Sequence, residues 1–280
     1  MDLVHSSGKV NLTLRITGKL PSGYHELCSI FLRIDAIESL TIDRGMEDNV
    51  RVHFERASDM IQDRNILFKV LDVVRRAGES VPPLDMCLEK RVPPGTGLGC
   101  GSGNAAVLLS WLARQGYGAW DYASAVGADV PFFCEGHKMA LASGIGERIK
   151  PLAPSGLHLR GVIVIPAWRC MTAPAFQALD EYYGTAWPMN QAEAENEAFS
   201  VIETLRKGRR WGLLPNDFCG ALMKRHAEYG ALFDVFEDQR ALAWGISGSG
   251  SSAFGIWDRA DFPELPPHGP WIEDTLAFKM

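Results

Sequence analysis

Between residues 9 and 16 apolar and polar side chains alternate, with Val10, Leu12, Leu14 and Ile16 on one side and Lys9, Asn11, Thr13 and Arg15 on the other. A period of two predicts a strand with one face on a core. Proline and glycine mark a turn over 18–23, and apolar segments at 30–34, 40–42 and 50–54 predict further strands. The period then changes. Ile66, Leu67, Val70, Leu71, Val73 and Val74 recur at helical spacing, before Leu84, Met86 and Leu88 alternate again. That strand leads into Pro93-Pro94-Gly95-Thr96-Gly97-Leu98-Gly99-Cys100-Gly101-Ser102-Gly103-Asn104-Ala105-Ala106, where five glycines fall within nine positions. The run from 104 to about 115 is apolar around most of its circumference, which predicts a buried helix, and Ala105 and Ala106 permit close packing.

A short helix is expected before Gly127-Ala128-Asp129-Val130-Pro131-Phe132-Phe133. There Pro131 is expected to stop any helix and push Val130 to extended geometry, leaving Asp129 in a constrained loop. Residues 151–156 read as a boundary, followed by a strand at 162–165, helices at 172–183 and 193–207, and strands at 243–246 and 253–257. The last two flank Ser247-Gly248-Ser249-Gly250-Ser251-Ser252. The fold class expected is α+β in two domains, 1–153 and 154–280, with a substrate cleft between them.

The 280 residues are 46% hydrophobic, enough for a sizeable core, and the net charge of -6 argues against a general nucleic-acid or membrane-surface binder. Six scattered cysteines without a C-x-x-C pair point to reduced thiols in the cytoplasm and give no zinc-ligand spacing. The start of the chain lacks the pattern of a signal peptide, and no apolar run reaches bilayer length, so a soluble protein is expected.

Glycine-rich backbone before a helix can converge several N–H groups, and the positive end of the helix dipole, on one phosphate. The same composition also serves a plain turn capped by Ser102. No Lys-Ser or Lys-Thr follows the last glycine, so the loop is not a Walker A motif, and G-x-G-x-x-G is not completed either. Lys9 and Asn11 share a strand face and could project into a cleft or simply be solvated. Asp129 is flanked by apolar residues, so it needs a partner; with Lys9 close by it would stay ionised and accept a hydroxyl proton, the alternative being an Asx turn or helix cap. Tyr24 and His25 suit a planar polar ring or edge packing, and residues 247–252 could wrap a phosphate or turn a hairpin.

Lys9-Val10-Asn11-Leu12, Gly23-Tyr24-His25-Glu26-Leu27, the loop 93–106, Gly127-Ala128-Asp129-Val130-Pro131-Phe132-Phe133 and Ser247-Gly248-Ser249-Gly250 together resemble the GHMP small-molecule kinases. The resemblance runs over nearly the whole chain, taking in Asn65-Ile66-Leu67, Lys90, Gly144-Ile145-Gly146-Glu147 and Asn216-Asp217. It implies a two-domain GHMP kinase fold, with an N-terminal ATP-binding and catalytic domain and a C-terminal substrate domain. It also implies ATP with Mg2+, and a cytidyl diphosphate substrate whose 2-hydroxyl is phosphorylated on a route to isoprenoid precursors. By that resemblance Lys9 and Asp129 form the catalytic pair. Pro93, Pro94, Gly95, Thr96, Gly97, Leu98, Gly99, Cys100, Gly101, Ser102 and Gly103 hold the ATP phosphates, and Asn65 and Lys90 contact the adenosine part. Asn11, Tyr24, His25 and Phe176 meet the cytidyl substrate, Phe176 as a stacking ring or else a core residue. A monomer or weak homodimer is expected, with no nucleic-acid or membrane partner. Family loops usually read Gly-Leu-Gly-Gly-Gly-Ser-Ser-Asp-Ala-Ala, and Cys100, Gly103 and Asn104 depart from that. A kinase of another small alcohol and a catalytically silent ligand-binding relative are the alternatives.

Overall fold

A computed structural model describes residues 1–54, 57–61, 65–184, 186–260, 262–263 and 269–280. The first part contains β1 (Asp2–Lys19), β2 (His25–Arg44), β3 (Asn49–Phe54), β4 (Ala57–Ile61), α1 (Ile66–Arg76), β5 (Leu84–Lys90) and α2 (Cys100–Arg114). A 3-10 turn (Ala119–Tyr122), α3 (Ala123–Val126), α4 (Val130–Cys134), β6 (Met139–Ser143) and β7 (Arg148–Leu152) complete it. The second part contains β8 (Leu159–Pro166), α5 (Thr172–Tyr183), α6 (Gln191–Arg206), β9 (Gly212–Leu213), α7 (Cys219–Arg225) and α8 (Glu228–Asp238). It ends with β10 (Ala243–Ile246), β11 (Ala253–Asp258) and β12 (Ile272–Lys279). Seven strands form one sheet, ordered β4-β3-β5-β2-β6-β7 with β1 paired to β2, and the other five form a sheet ordered β12-β8-β11-β10-β9.

The two long opening strands differ from the sequence expectation in an informative way. Residues 30–34 and 40–42 belong to one strand, and the register against β1 jumps from Ser6↔Glu38 to Gly8↔Ile34, with Ala36 at φ 53° inside the irregularity. A second register shift lies between Asn11 and Thr13. Bulges re-aim the side chains that follow them. Val10 and Leu12 accordingly pack in a core shared with β2, β6, α6, β8 and β11, whereas Leu14 and Ile16 join a different core formed with α7, α8 and β10. One simple two-faced strand was the expectation. The molecule instead threads β1 between two cores and thereby ties the halves together.

Helix α2 starts at Cys100, four residues before the expected Asn104, so Gly101, Ser102 and Gly103 lie in its first turn. Glycine ranks low in helix propensity, which hides such a start from sequence reading. A tertiary contact favours it here: a Cβ on Gly103 would stand 1.8 Å from the Ser7 carbonyl oxygen, so only glycine lets the helix lie this close to β1. Pro131 also departs from its expected role. It sits in the first turn of α4, where a missing N–H costs nothing, and Val130 is helical rather than extended. Asp129 therefore occupies the residue just before a helix rather than a constrained loop.

Candidate active site

The glycine loop, the middle of β1, the α5 helix and the loop 247–252 surround a cleft of about 900 Å³. Its floor is held by backbone. The Lys9 N–H donates to the Leu98 carbonyl at 2.7 Å, and the Ser252 N–H donates to the Thr96 carbonyl at 2.9 Å. The Ser247 hydroxyl donates to the Gly97 carbonyl at 2.9 Å. Gly97 has φ 76°, and a Cβ there would lie 2.1 Å from the Ser247 carbonyl oxygen, so glycine is required by both conformation and contact. The Asn216 carboxamide donates to the carbonyls of Ile246 and Gly248, at 2.8 and 2.9 Å, and ties the serine-glycine loop to the segment that precedes α7. Loop 247–252 thus turns the β10–β11 hairpin and also walls the cleft.

Lys9 is not a solvated lysine. Its side chain is only 7% exposed; Nζ donates to Asn11 Oδ1 at 2.5 Å, stands 3.6 Å from Asp129 Oδ2, and lies 4.8 Å from the centre of the Phe31 ring. A buried ammonium without such partners would lose several kcal/mol of hydration. Asp129, 29% exposed, precedes α4 but makes no capping hydrogen bond, so its carboxylate is left to face Lys9. Gly99, at φ 63° and just before α2, lies against both: a Cβ on it would be 3.2 Å from Lys9 Cε and 3.5 Å from Asp129 Oδ2. An ammonium, a carboxylate and the positive end of a fifteen-residue helix therefore converge on one wall of the cleft.

Next to that wall is a buried cluster which sequence reading missed. The Glu38 side chain has no exposed surface; it accepts from Lys90 Nζ at 3.1 Å, from the Val92 N–H at 3.0 Å and from Asn104 Nδ2 at 2.7 Å. Ser6 in turn donates to Asn104 Oδ1 at 2.5 Å. Lys90 lines the cleft, but its charge is held by this carboxylate. The Cys100 thiol lies beside the cluster, and burial, reinforced by the Glu38 charge, pushes its pKa up, making it inert. Asn65 also lines the cleft while its Oδ1 accepts from the Leu67 N–H at 3.0 Å, capping α1.

At the other end of the cleft, Phe176 on α5 stacks on His25 with ring centres 4.7 Å apart. Trp187 meets the same imidazole edge-on at 5.4 Å. His25 Nε2 is 2.7 Å from Asp180 Oδ1, and Lys19 Nζ is 2.6 Å from Asp180 Oδ2. Those hydrogen bonds, from Lys19 first and His25 second, hold the Asp180 carboxyl below the usual carboxylate range. Tyr24 is 63% exposed at the mouth. Of the sequence-selected residues, Lys9, Asn11, Tyr24, His25, Asn65, Lys90, Pro93, Pro94, Gly95, Thr96, Gly97, Gly99, Cys100, Gly101, Ser102, Asp129 and Phe176 line the cleft. Leu98 is a fully buried core residue and Gly103 packs against Ser7, so those two shape the loop from behind.

Among the described residues only Asp129 and Asp180 supply carboxylates to the cleft. Mg2+ is typically held by one or two carboxylates and by substrate phosphates. The Asp129 carboxylate and the Ser102 hydroxyl, both lining the cleft, are hard oxygen donors of the kind that arrangement uses. Among the described residues a separate trio, His53, Cys87 and Glu89, gathers within 4.8 Å on neighbouring strands β3 and β5, and none of the three lines the cleft.

Residues 65–137 match the model of the GHMP kinases N terminal domain. The chain is 33% identical over 260 residues to a 4-diphosphocytidyl-2-C-methyl-D-erythritol kinase of Chloroherpeton thalassium, covering 91% of this chain and 88% of that protein. A crystal structure of 4-(cytidine 5'-diphospho)-2C-methyl-D-erythritol kinase superposes with a TM-score of 0.70 at 28% identity, over 91% of this chain and 90% of the other. The Streptococcus pneumoniae phosphomevalonate kinase, at 13% identity and a TM-score of 0.59 over 92% of each chain, shares the fold. With the two-sheet architecture, the glycine loop at the start of α2 and this similarity along its length, the chain belongs to the 4-diphosphocytidyl-2-C-methyl-D-erythritol kinase family of the GHMP kinases.

Proposed function

We propose that the chain is an ATP-dependent kinase that transfers the γ-phosphoryl group of ATP to the 2-hydroxyl of 4-diphosphocytidyl-2-C-methyl-D-erythritol, with Lys9 and Asp129 as its catalytic pair. The observation that carries the reading is the 3.6 Å approach of these two side chains beside Gly99, in the cleft that the glycine loop lines. Asp129 accepts the hydroxyl proton as the new O–P bond forms, and ADP leaves with the electrons of the broken bond. Lys9, held by Asn11, pairs with the Asp129 carboxylate and donates to the attacking oxygen. Residues 93–103 cradle the phosphates, Ser102 and Asp129 are proposed to hold Mg2+ with them, and the ion when bound screens the triphosphate charge. Asn65 and Lys90 are assigned to the adenosine side, and Asn11, Tyr24, His25 and Phe176 to the cytidyl side.

The domain division 1–153 and 154–280 belongs to the same reading, supported by one sheet drawing on residues up to Leu152 and the other on residues from Leu159. So do a cytoplasmic location and a monomer or weak homodimer; among the described residues no helix is long and apolar enough to cross a membrane. The test is turnover with ATP, Mg2+ and the cytidyl substrate. Wild type makes the 2-phosphate, and Asp129→Asn loses about 10²-fold or more in kcat while still binding the cytidyl substrate. Full-rate turnover by Asp129→Asn refutes the assigned role, and binding without any wild-type turnover favours a silent relative.

A further inference from the structure

Asp180 and His25 are 155 residues apart in sequence, yet their side chains meet at 2.7 Å in the cleft. A carboxylate only accepts hydrogen bonds, so the proton of the neutral imidazole must sit on Nε2. Nδ1 then carries a lone pair. No residue among those described hydrogen-bonds Nδ1, and the ring plane is held by Phe176 stacked on its face and Trp187 against its edge. Lys19, bound to the second Asp180 oxygen, keeps the carboxylate in place.

We infer that Asp180 is a positioning residue which, by fixing the tautomer of His25, makes the cleft select an amino-bearing pyrimidine over a keto-bearing one. The inference rests on the reading of His25 as a residue that faces the base. A cytosine edge offers an N–H donor at position 4, which a lone pair on Nδ1 accepts. Uracil has a carbonyl oxygen there, and two acceptors facing each other leave both unsatisfied. Without Asp180 the imidazole can move its proton to Nδ1, which then donates and tolerates the keto oxygen. Positioning partners of this kind orient histidines in metal sites by the same logic.

The experiment compares CDP and UDP as inhibitors competing with the cytidyl substrate, alongside 15N spectra of the histidine rings with His25 assigned through His25→Gln. Wild type is expected to hold CDP about 10- to 100-fold tighter than UDP, with His25 protonated on Nε2. Asp180→Ala is expected to shrink that ratio to about threefold or less and give a mixed tautomer, with the loss falling on KM for the cytidyl substrate and not on KM for ATP. An unchanged CDP-to-UDP ratio in Asp180→Ala overturns the inference, as does a neutral wild-type ring protonated on Nδ1, a result that does not depend on the variant folding. Failure of wild type to bind CDP at all instead overturns the base-facing reading of His25.

Discussion

Asn104 stands where loops of this kind usually carry aspartate, and the structure gives the substitution Asn104→Asp a calculable outcome. The Asn104 carboxamide donates to Glu38 at 2.7 Å, and the Glu38 side chain is fully buried. Replacing that donor by a carboxylate sets two negative charges at contact. At 2.7 Å and an effective dielectric of about 20 they repel by about 6 kcal/mol, which Lys90, 3.1 and 3.3 Å from the two Glu38 oxygens, partly offsets. The pair can escape by binding one proton. Protonating an ordinary carboxyl costs about 5.6 kcal/mol at pH 8 and about 2.9 kcal/mol at pH 6, so these figures cap the penalty. The folded variant then holds up to one proton more than the unfolded chain from about pH 5 to the pH at which that cost overtakes the repulsion left after Lys90, and over that window its stability falls as pH rises, by up to about 1.4 kcal/mol per unit. The assay is chemical denaturation followed by circular dichroism at pH 6, 7 and 8, for wild type and variant. A second change, Glu38→Gln, gives the introduced carboxylate an amide donor and should restore about 2 kcal/mol or more at pH 8. A penalty below about 1 kcal/mol at pH 8, or no difference in pH slope from wild type, refutes the account of this cluster.

Further outcomes follow from the same structure. Gly103→Ser should destabilise the fold by about 2 kcal/mol or more in thermal or urea unfolding, because the new Cβ meets the Ser7 carbonyl, a backbone atom that cannot swing aside. The Asp48 carboxyl is held below its ordinary value mainly by its hydrogen bond from Arg75, aided by the Leu84 N–H and opposed by burial. Its contribution is therefore complete above the unfolded carboxyl value and is lost as pH falls through the lower folded one; Arg75→Leu should flatten that acid limb in a pH series of melts. Burial pushes the thiols of Cys28 and Cys134 to about 12 and that of Cys219 to about 11. Maleimide labelling at pH 8 read by mass spectrometry should therefore modify the half-buried Cys87 first and these three only on unfolding.

The parts of the fold and site that were legible in the sequence are those written in neighbouring residues. Five alternating glycines, the Lys-x-Asn pair on one strand face and an aspartate boxed in by apolar residues are local patterns, and the cleft brings together four of those glycines, the pair and the aspartate. Periodicity gave the helices α1, α5 and α6 and most strands, because each buries one face. It could not give the bulges in β1 and β2, since an extra residue leaves the composition of a strand unchanged while turning every later side chain to the opposite face. The long-range partners were equally out of reach. Glu38 reads as one more acidic residue in a strand, and only the fold brings Asn104, 66 positions later, against it. The same holds for Asp180, whose place on a half-exposed helix carries no sign of the imidazole it meets. The residue types that line the cleft were thus readable because their patterns are local, while the groups that orient them were not, because orientation is a property of tertiary contact. The Gly103 position shows both at once. From the sequence it is the loss of a hydroxyl from a phosphate loop; in the structure its missing Cβ admits the β1 backbone, and that contact helps set the start of α2 beside Lys9.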